Sequence, residues 1–318
     1  MKKIFVTLSA LVICLSCGCT ETYENSDTQF LFDTVVTLTA DCDDKTLESA
    51  FSLCRNYEYL LSRNIKDSDV YKINHASGEC RVSDDTAKIL KKAIYYGDLS
   101  NGKFDITIYP VSSLWDFSSD IVPSRNEIAE ALKNVDYQSI ALDGNTVNAA
   151  GRQIDLGGIA KGYIADRVLE HFKQNNVNSG IIDLGGNLIV WGNQDYTLGV
   201  KKPFSEGEII ATVGLKNKSV VTSGVYERYI KQDGKLYHHI LDPKTGYACD
   251  TDLYSATIIG DSSIDCDALS TICMLLGLDG AKTLIENTKN TEAIFVDDEN
   301  NLHYTDGLTK QDGIFVLK

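Results

Sequence analysis

Residues 179–192 read SGIIDLGGNLIVWG: an apolar run, then Asp183-Leu184-Gly185-Gly186, then a second apolar run that ends at Trp191. Paired glycines let a chain reverse within a few residues, and a tight reversal between two β-rich runs specifies an antiparallel hairpin. Similar short runs follow at 196–200, 209–215, 219–223 and 235–241, and again at 293–297 and 314–317 in the tail. Residues 140–148 form a further hairpin signal around Asp143-Gly144, with a strand expected to end at Asp155. Residues 30–40 read as one strand. Helical periodicity occupies 46–61, 86–99, 160–172 and the stretch from about Ser262 to Asn287, with a break expected at Gly277. Strands that succeed one another through short turns pair antiparallel, so the class is α+β, antiparallel sheets packed with helices.

The letters Asp-Leu-Gly-Gly also occur at Asp155-Leu156-Gly157-Gly158, and there they lead into Ile159-Ala160-Lys161-Gly162 and a helix. Glycine permits close backbone approach, and free N–H groups at a helix start favour an anion. Lys161 in the first helical turn opposes the helix dipole, and a negative partner would offset that cost. The phosphate loop GxxxxGK[ST] is absent. Two readings stay open here: an ordinary joint before a helix, or a phosphate-binding turn. The copy at 183 has no helix behind it and reads as a structural turn capped by Asp183.

Three other stretches carry reactive side chains. Ser262-x-x-Asp265 matches a helix-start capping pattern. Asp267 and Thr271 then share one face of that helix, with Ser270 beside them. A carboxylate and a hydroxyl at that spacing are oxygen-only ligands suited to Mg2+. The competing reading is a second cap with a solvated Asp267. In Tyr237-His238-His239-Ile240-Leu241-Asp242-Pro243-Lys244-Thr245-Gly246, His239 beside a turn is either a general base or a structural histidine. Lys103-Phe104-Asp105 precedes an aromatic-rich segment whose rings either flank a planar ligand or fill a core.

The 318-residue chain carries a formal net charge of −15, which excludes a nucleic-acid partner that selects basic surfaces. Lys2 and Lys3 precede an apolar run to Leu15, then Ser16-Cys17-Gly18-Cys19. That pattern resembles a bacterial lipoprotein leader, with Cys19 the favoured lipid-bearing residue and Cys17 the competing one. Residues 1–18 are therefore expected to be a signal peptide, 19–28 a lipidated polar tether, and 29–318 one catalytic domain. The protein would be exported and anchored on the extracytoplasmic face of the membrane. None of the nine cysteines has a zinc-binding spacing, and those outside the leader are expected to be buried free thiols, with one disulfide left open.

Taken together, FDTVVTLTA (32–40), GKFDITIYPVSSLWDF (102–117), DLGGIAKGYIADR (155–167), IIDLGGNLIVWG (181–192), VVTSGVYERY (220–229), HHILDPKTGYA (238–248) and DCDALSTICMLLG (265–277) resemble, in order, the blocks of the ApbE family. These are the FAD:protein FMN transferases. The resemblance implies a T-fold-like architecture and a Mg2+-dependent transfer of FMN from FAD to a Thr or Ser hydroxyl of an acceptor flavoprotein, with release of AMP. It implies that Asp155 and Lys161 contact FAD and that Lys103, Phe104 and Asp105 line the flavin nucleotide. Ile240 and Leu241 would pack on it. Gly158, Asp267, Ser270 and Thr271 would surround the metal, with Asp267 and His239 catalytic. Two positions depart from the family: Phe32, often Met, which would touch the flavin nucleotide, and Asn64, near which an aromatic is usual. Two alternatives remain, a Mg2+-dependent FAD pyrophosphatase with the same site and a lipoprotein that binds FAD without turnover.

Overall fold

The computed structural model describes residues 25–318. The leader and the candidate lipid sites Cys17 and Cys19 lie outside the described residues. A hairpin of β1 (Asn25–Leu31) and β2 (Thr34–Ala40) leads into α1 (Asp44–Leu61), α2 (Asp69–His75), β3 (Cys80–Arg81) and α3 (Asp84–Leu99). Next come α4 (Tyr109–Ser112), α5 (Arg125–Leu132), β4 (Ala141–Asp143), β5 (Thr146–Asn148) and α6 (Ala160–Gln174). Five strands follow: β6 (Gly180–Asp183), β7 (Asn187–Trp191), β8 (Tyr196–Lys201), β9 (Ile209–Leu215) and β10 (Lys218–Gly224). The hairpin β11 (Tyr229–Gln232) and β12 (Lys235–His238) precedes β13 (Leu253–Gly260) and the long α7 (Ser263–Glu286). The chain closes with β14 (Glu292–Asp297), β15 (Leu302–Tyr304), β16 (Leu308–Gln311) and β17 (Ile314–Leu317).

An eight-stranded sheet in the order β1-β2-β6-β7-β10-β13-β14-β15 forms the centre. Every neighbouring pair in it is antiparallel, as the short turns require. Successive side chains on a strand alternate between its faces. Val221, Ile258 and Phe295 accordingly join the main core with α1, α6 and α7. Their neighbours Val220, Ile259 and Ile294 pack on the other face against Leu198, Val213 and Phe315 of the four-stranded sheet β16-β17-β9-β8. Helix α7 packs against α6, β10 and β13, which explains why its sequence is apolar on most sides.

Several expectations need correction. Residues 30–40 are two strands, because Phe32 and Asp33 take φ of 56° and 58° and form a tight turn between Leu31 and Thr34. The first strand begins at Asn25, so the last four residues of the expected tether are paired with β2. No strand ends at Asp155: the Asn74 side chain accepts from the Ile154 N–H (2.7 Å) and donates to its carbonyl (3.0 Å), replacing a strand partner. Asp265 does not cap α7. That role belongs to Asp166 of α6, which accepts from the N–H groups of Ser263 (2.8 Å) and Ile264 (3.0 Å). Asp265 instead meets Lys92 and Tyr96 of α3 at 2.6 and 2.7 Å. The break at Gly277 is present, with φ 71° and ψ 176°. The six described cysteines are free, four of them buried.

Candidate active site

The site forms where the starts of α6 and α7 touch. Gly162 allows that contact: a Cβ there would lie 2.3 Å from the Ser263 carbonyl and 2.7 Å from the Asp267 Cβ. Its N–H donates to Asp267 Oδ2 at 2.8 Å. Asp267 is buried, and the loss of water raises its pKa, while the Lys161 charge, the Gly162 N–H and the facing Asn187 amide lower it. No ion pair closes on Asp267 among the described residues. One turn along α7, the Thr271 hydroxyl lies 3.4 Å from where a Cβ of residue 158 would be, and the Phe104 ring lies 3.1 Å from the same point. Gly158, Phe104, Asp267 and Thr271 are thus gathered. Ser270 is buried, with its hydroxyl committed to Ser223 and the Asp267 carbonyl, both at 2.8 Å.

Lys161 connects the two Asp-Leu-Gly-Gly copies, its Nζ donating to the Gly185 carbonyl at 3.3 Å. Gly185 and Gly186 both take positive φ, and their N–H groups turn back to Asp183 Oδ1. Burial raises the Asp183 pKa against those two N–H groups and Lys161. A Cβ at Gly185 would strike Thr34, so the β1–β2 turn abuts this loop. Phe32 sits in that turn, with its N–H donating to Glu58 Oε1 at 2.7 Å.

Other sequence candidates are held at the rim. Asp155 accepts from Gly157 N–H at 2.8 Å and pairs with Arg63, which also lies 5.2 Å over the Tyr109 ring. Lys103 pairs with Asp242 at 3.4 Å, across to the HHILDPKTG turn. Asp105 is turned inward: one oxygen accepts from Thr107 N–H and hydroxyl, the other from Tyr137 N–H, and burial raises its pKa. Its carboxylate is committed to shaping the loop, because three neighbouring donors outcompete a more distant ligand. Ile240 enters the main core and Leu241 the small core of Val111, Trp115, Ile128 and Ile230, so the structure separates these two.

His239 stands beside this group, its Nε2 3.9 Å from Glu227 Oε2. Its pKa falls to about 3, first because its surroundings desolvate the charged ring, and then through the charges of Arg228, His238 and Lys161. The side chain keeps 30% of its exposure, so the ring is reached from outside at one edge. It is therefore neutral at neutral pH and able to accept a proton.

Glu227, Arg228, Asn187 and Arg63 had no assigned role in the sequence reading. The first two lie in the quoted VVTSGVYERY block and Asn187 directly follows the second Gly-Gly, so position in a block was the available signal. Arg63 lay in no block.

The profile of the ApbE family matches residues 32–295. A FAD:protein FMN transferase of Klebsiella pneumoniae is 37% identical over 263 residues, covering 80% of this chain and 83% of that protein. One of Treponema pallidum is 32% identical over 302 residues, covering 86% and 83%. The crystal structure of the ApbE protein from Thermotoga maritima superposes with a TM-score of 0.81 at 30% identity, covering 89% of this chain and 97% of that one. With the α+β fold and the ordered motifs already in place, these matches show that the chain belongs to the ApbE family.

Proposed function

We propose that this chain transfers FMN from FAD to a Thr or Ser hydroxyl of an acceptor flavoprotein and releases AMP. The observation that supports this most is the junction of α6 and α7, where Lys161 faces the buried, unpaired-with-cation Asp267, beside Thr271 and Gly158. The names of the two relatives describe the same chemistry. In the proposed reaction the acceptor oxygen bonds to the phosphorus of the FMN half and the pyrophosphate bridge breaks.

The donors at the junction are all oxygens, and no trio of His, Cys, Asp or Glu suited to a metal occurs among the described residues. A carboxylate, a hydroxyl and a backbone carbonyl leave room for substrate phosphate oxygens, which suits Mg2+. The Thr271 hydroxyl has no hydrogen-bond partner among the described residues, and Asp267 has no counter-cation in contact. Asp267, Thr271 and the Gly158 carbonyl would hold the ion, whose contribution is Lewis-acid polarisation of a phosphoryl oxygen.

Lys161 and the helix start would offset the negative charge of the pyrophosphate, which otherwise repels an attacking oxygen. Neutral His239 would take the hydroxyl proton. Burial is the largest cause of its low basicity, and the charges of Arg228 and Lys161, which add to it, are the part a bound anion would offset. Buried Ile240 would help exclude water from the reacting centre. The leader sequence supports an exported, lipid-anchored protein, which radiolabelled palmitate incorporation lost on Cys19→Ala would test.

The deciding assay supplies FAD and Mg2+ with and without a Thr-bearing acceptor flavoprotein. Covalent flavin on the acceptor is the expected result. FMN and AMP without labelled acceptor would replace transfer by hydrolysis, and intact FAD would reduce the protein to a binder.

A further inference from the structure

Beside His239 lies a surface that the proposed chemistry does not use. Phe204 is 41% exposed and Tyr229 37% exposed, unusual values for rings that touch one another. Phe204 meets Tyr229, Tyr226 and Tyr254 edge-on, with centroids 5.5, 6.0 and 5.1 Å apart. Lys231 lies over both Phe204 and Tyr229, at 5.3 and 5.5 Å, and Lys201 lies 5.5 Å over Tyr226. Neither lysine closes an ion pair within 4 Å among the described residues, Lys201 acting on the Glu227 carboxylate only from farther away, although the chain carries 45 acidic residues against 30 basic ones. Phe204 also adopts φ 55°, a conformation that a bulky side chain rarely takes.

The ridge borders the reacting centre. Tyr229 pairs with His238 across the β11–β12 hairpin, and the His239 N–H donates to the Arg228 carbonyl at 3.1 Å. Glu227, between Tyr226 and Arg228 in sequence, stands 3.9 Å from the His239 ring. Lys201, which lies over the Tyr226 ring, acts on that same Glu227 carboxylate, so a hydroxyl delivered to His239 past Glu227 would bring its flanking residues toward this ridge.

We propose that this aromatic ridge with Lys201 and Lys231 is the docking surface for the acceptor polypeptide, and that it selects a segment with acidic residues beside the target hydroxyl. The inference rests on the transfer reading above. Exposed rings supply contact area at low entropic cost, and lysines that close no ion pair in an otherwise acidic molecule attract a carboxylate-bearing segment and repel a basic one.

The test uses the full chain and fluorescent Thr peptides that are identical except for two flanking residues, Asp, Asn or Lys. Binding is read by anisotropy, which needs no turnover, and FAD consumption is followed separately. The Asp peptide is expected to bind about tenfold tighter than the Lys peptide, less so at high salt. Lys201→Glu/Lys231→Glu should invert that order, and Phe204→Ser should weaken all three peptides, with FAD affinity unchanged. Equal binding of the three peptides, or a preference that survives the charge reversal, overturns the docking surface. So does loss of binding to anionic phosphatidylglycerol vesicles in these variants with peptide binding intact, which would make the ridge a membrane contact. Intact FAD in every arm defeats the transfer reading instead, whatever the peptides do.

Discussion

The Lys161 Nζ donates to the carbonyl of Gly185 at 3.3 Å, joining a helix start to a hairpin turn 24 residues away. Two copies of one tetrapeptide thereby serve one site. The first supplies the backbone under Thr271, and the second supplies an acceptor that aims the lysine. In the proposed reaction, holding a cation on a fixed carbonyl would leave little reorganisation for the moment when phosphate charge develops.

Lys161→Ala should lower kcat by about a hundredfold to a thousandfold, the usual effect of removing one preorganised positive group from a charged transition state. Circular dichroism should stay near the parent while the Tm falls modestly, because the lysine makes one backbone contact and its charge offsets the buried Asp183 and Asp267 carboxylates. Retained activity in a well-folded variant would remove Lys161 from the chemistry.

Asp267→Asn keeps the shape of the side chain but removes its charge. Turnover should fall below detection, and Mg2+ titration should no longer stimulate FAD cleavage. If the variant matched the parent at limiting Mg2+, the carboxylate would not be a metal ligand. Asp267→Ala should in addition lower stability by about 1–3 kcal/mol, because the Gly162 N–H would lose its buried acceptor.

Two glycine substitutions should separate stability from activity. At Gly162 a Cβ would fall 2.3 Å from the Ser263 carbonyl, so Gly162→Ala must push α6 off α7. Overpacking of that kind costs about 1–3 kcal/mol, and the Tm should drop by several degrees. At Gly158 the nearest atoms are 3.1 and 3.4 Å away, on Phe104 and Thr271. Gly158→Ala should therefore lower the Tm less than Gly162→Ala, since the Phe104 ring need give only a few tenths of an ångström, while slowing turnover, as read by differential scanning calorimetry and steady-state assay.

Buried His238 should give the protein an acid-sensitive stability. Burial lowers its pKa from 6.5 to about 4. The unfolded chain takes up this proton first, so the contribution is intact above pH 6.5 and is lost as pH falls toward 4, by about 3 kcal/mol in all. His239 acts with the same sign, discounted for its open edge. The Tm difference between pH 7.5 and pH 4.5 should shrink in His238→Gln, whatever that variant's absolute Tm; an unchanged difference would assign the acid sensitivity elsewhere.

Much of the architecture was legible because it is written in short-range patterns. Helix α6 and its glycine-led start followed from i,i+4 spacing, the β6–β7 hairpin from paired glycines, and the break in α7 from Gly277. Strand β13, at the middle of the central sheet, went unnoticed because Ser255, Ala256 and Thr257 interrupt its apolar run. Its identity as a strand comes from burial on both faces rather than from alternation. The α7 cap was misplaced for a related reason: Ser262 and Asp265 satisfy the local pattern, but Asp166 reaches the same N–H groups from another helix.

By itself the sequence determined the α+β class, the order of its motifs and the candidate residue types for the site, because backbone propensity and turn chemistry act over a few residues. Only the tertiary structure decided which of those side chains remain available. It committed Asp105 to Thr107 and Tyr137, and Ser270 to Ser223, while leaving Thr271 open and Asp267 without a cation partner. Those outcomes depend on contacts such as Gly162 to Asp267, 105 residues apart, where burial and competing donors are set by how two helices pack.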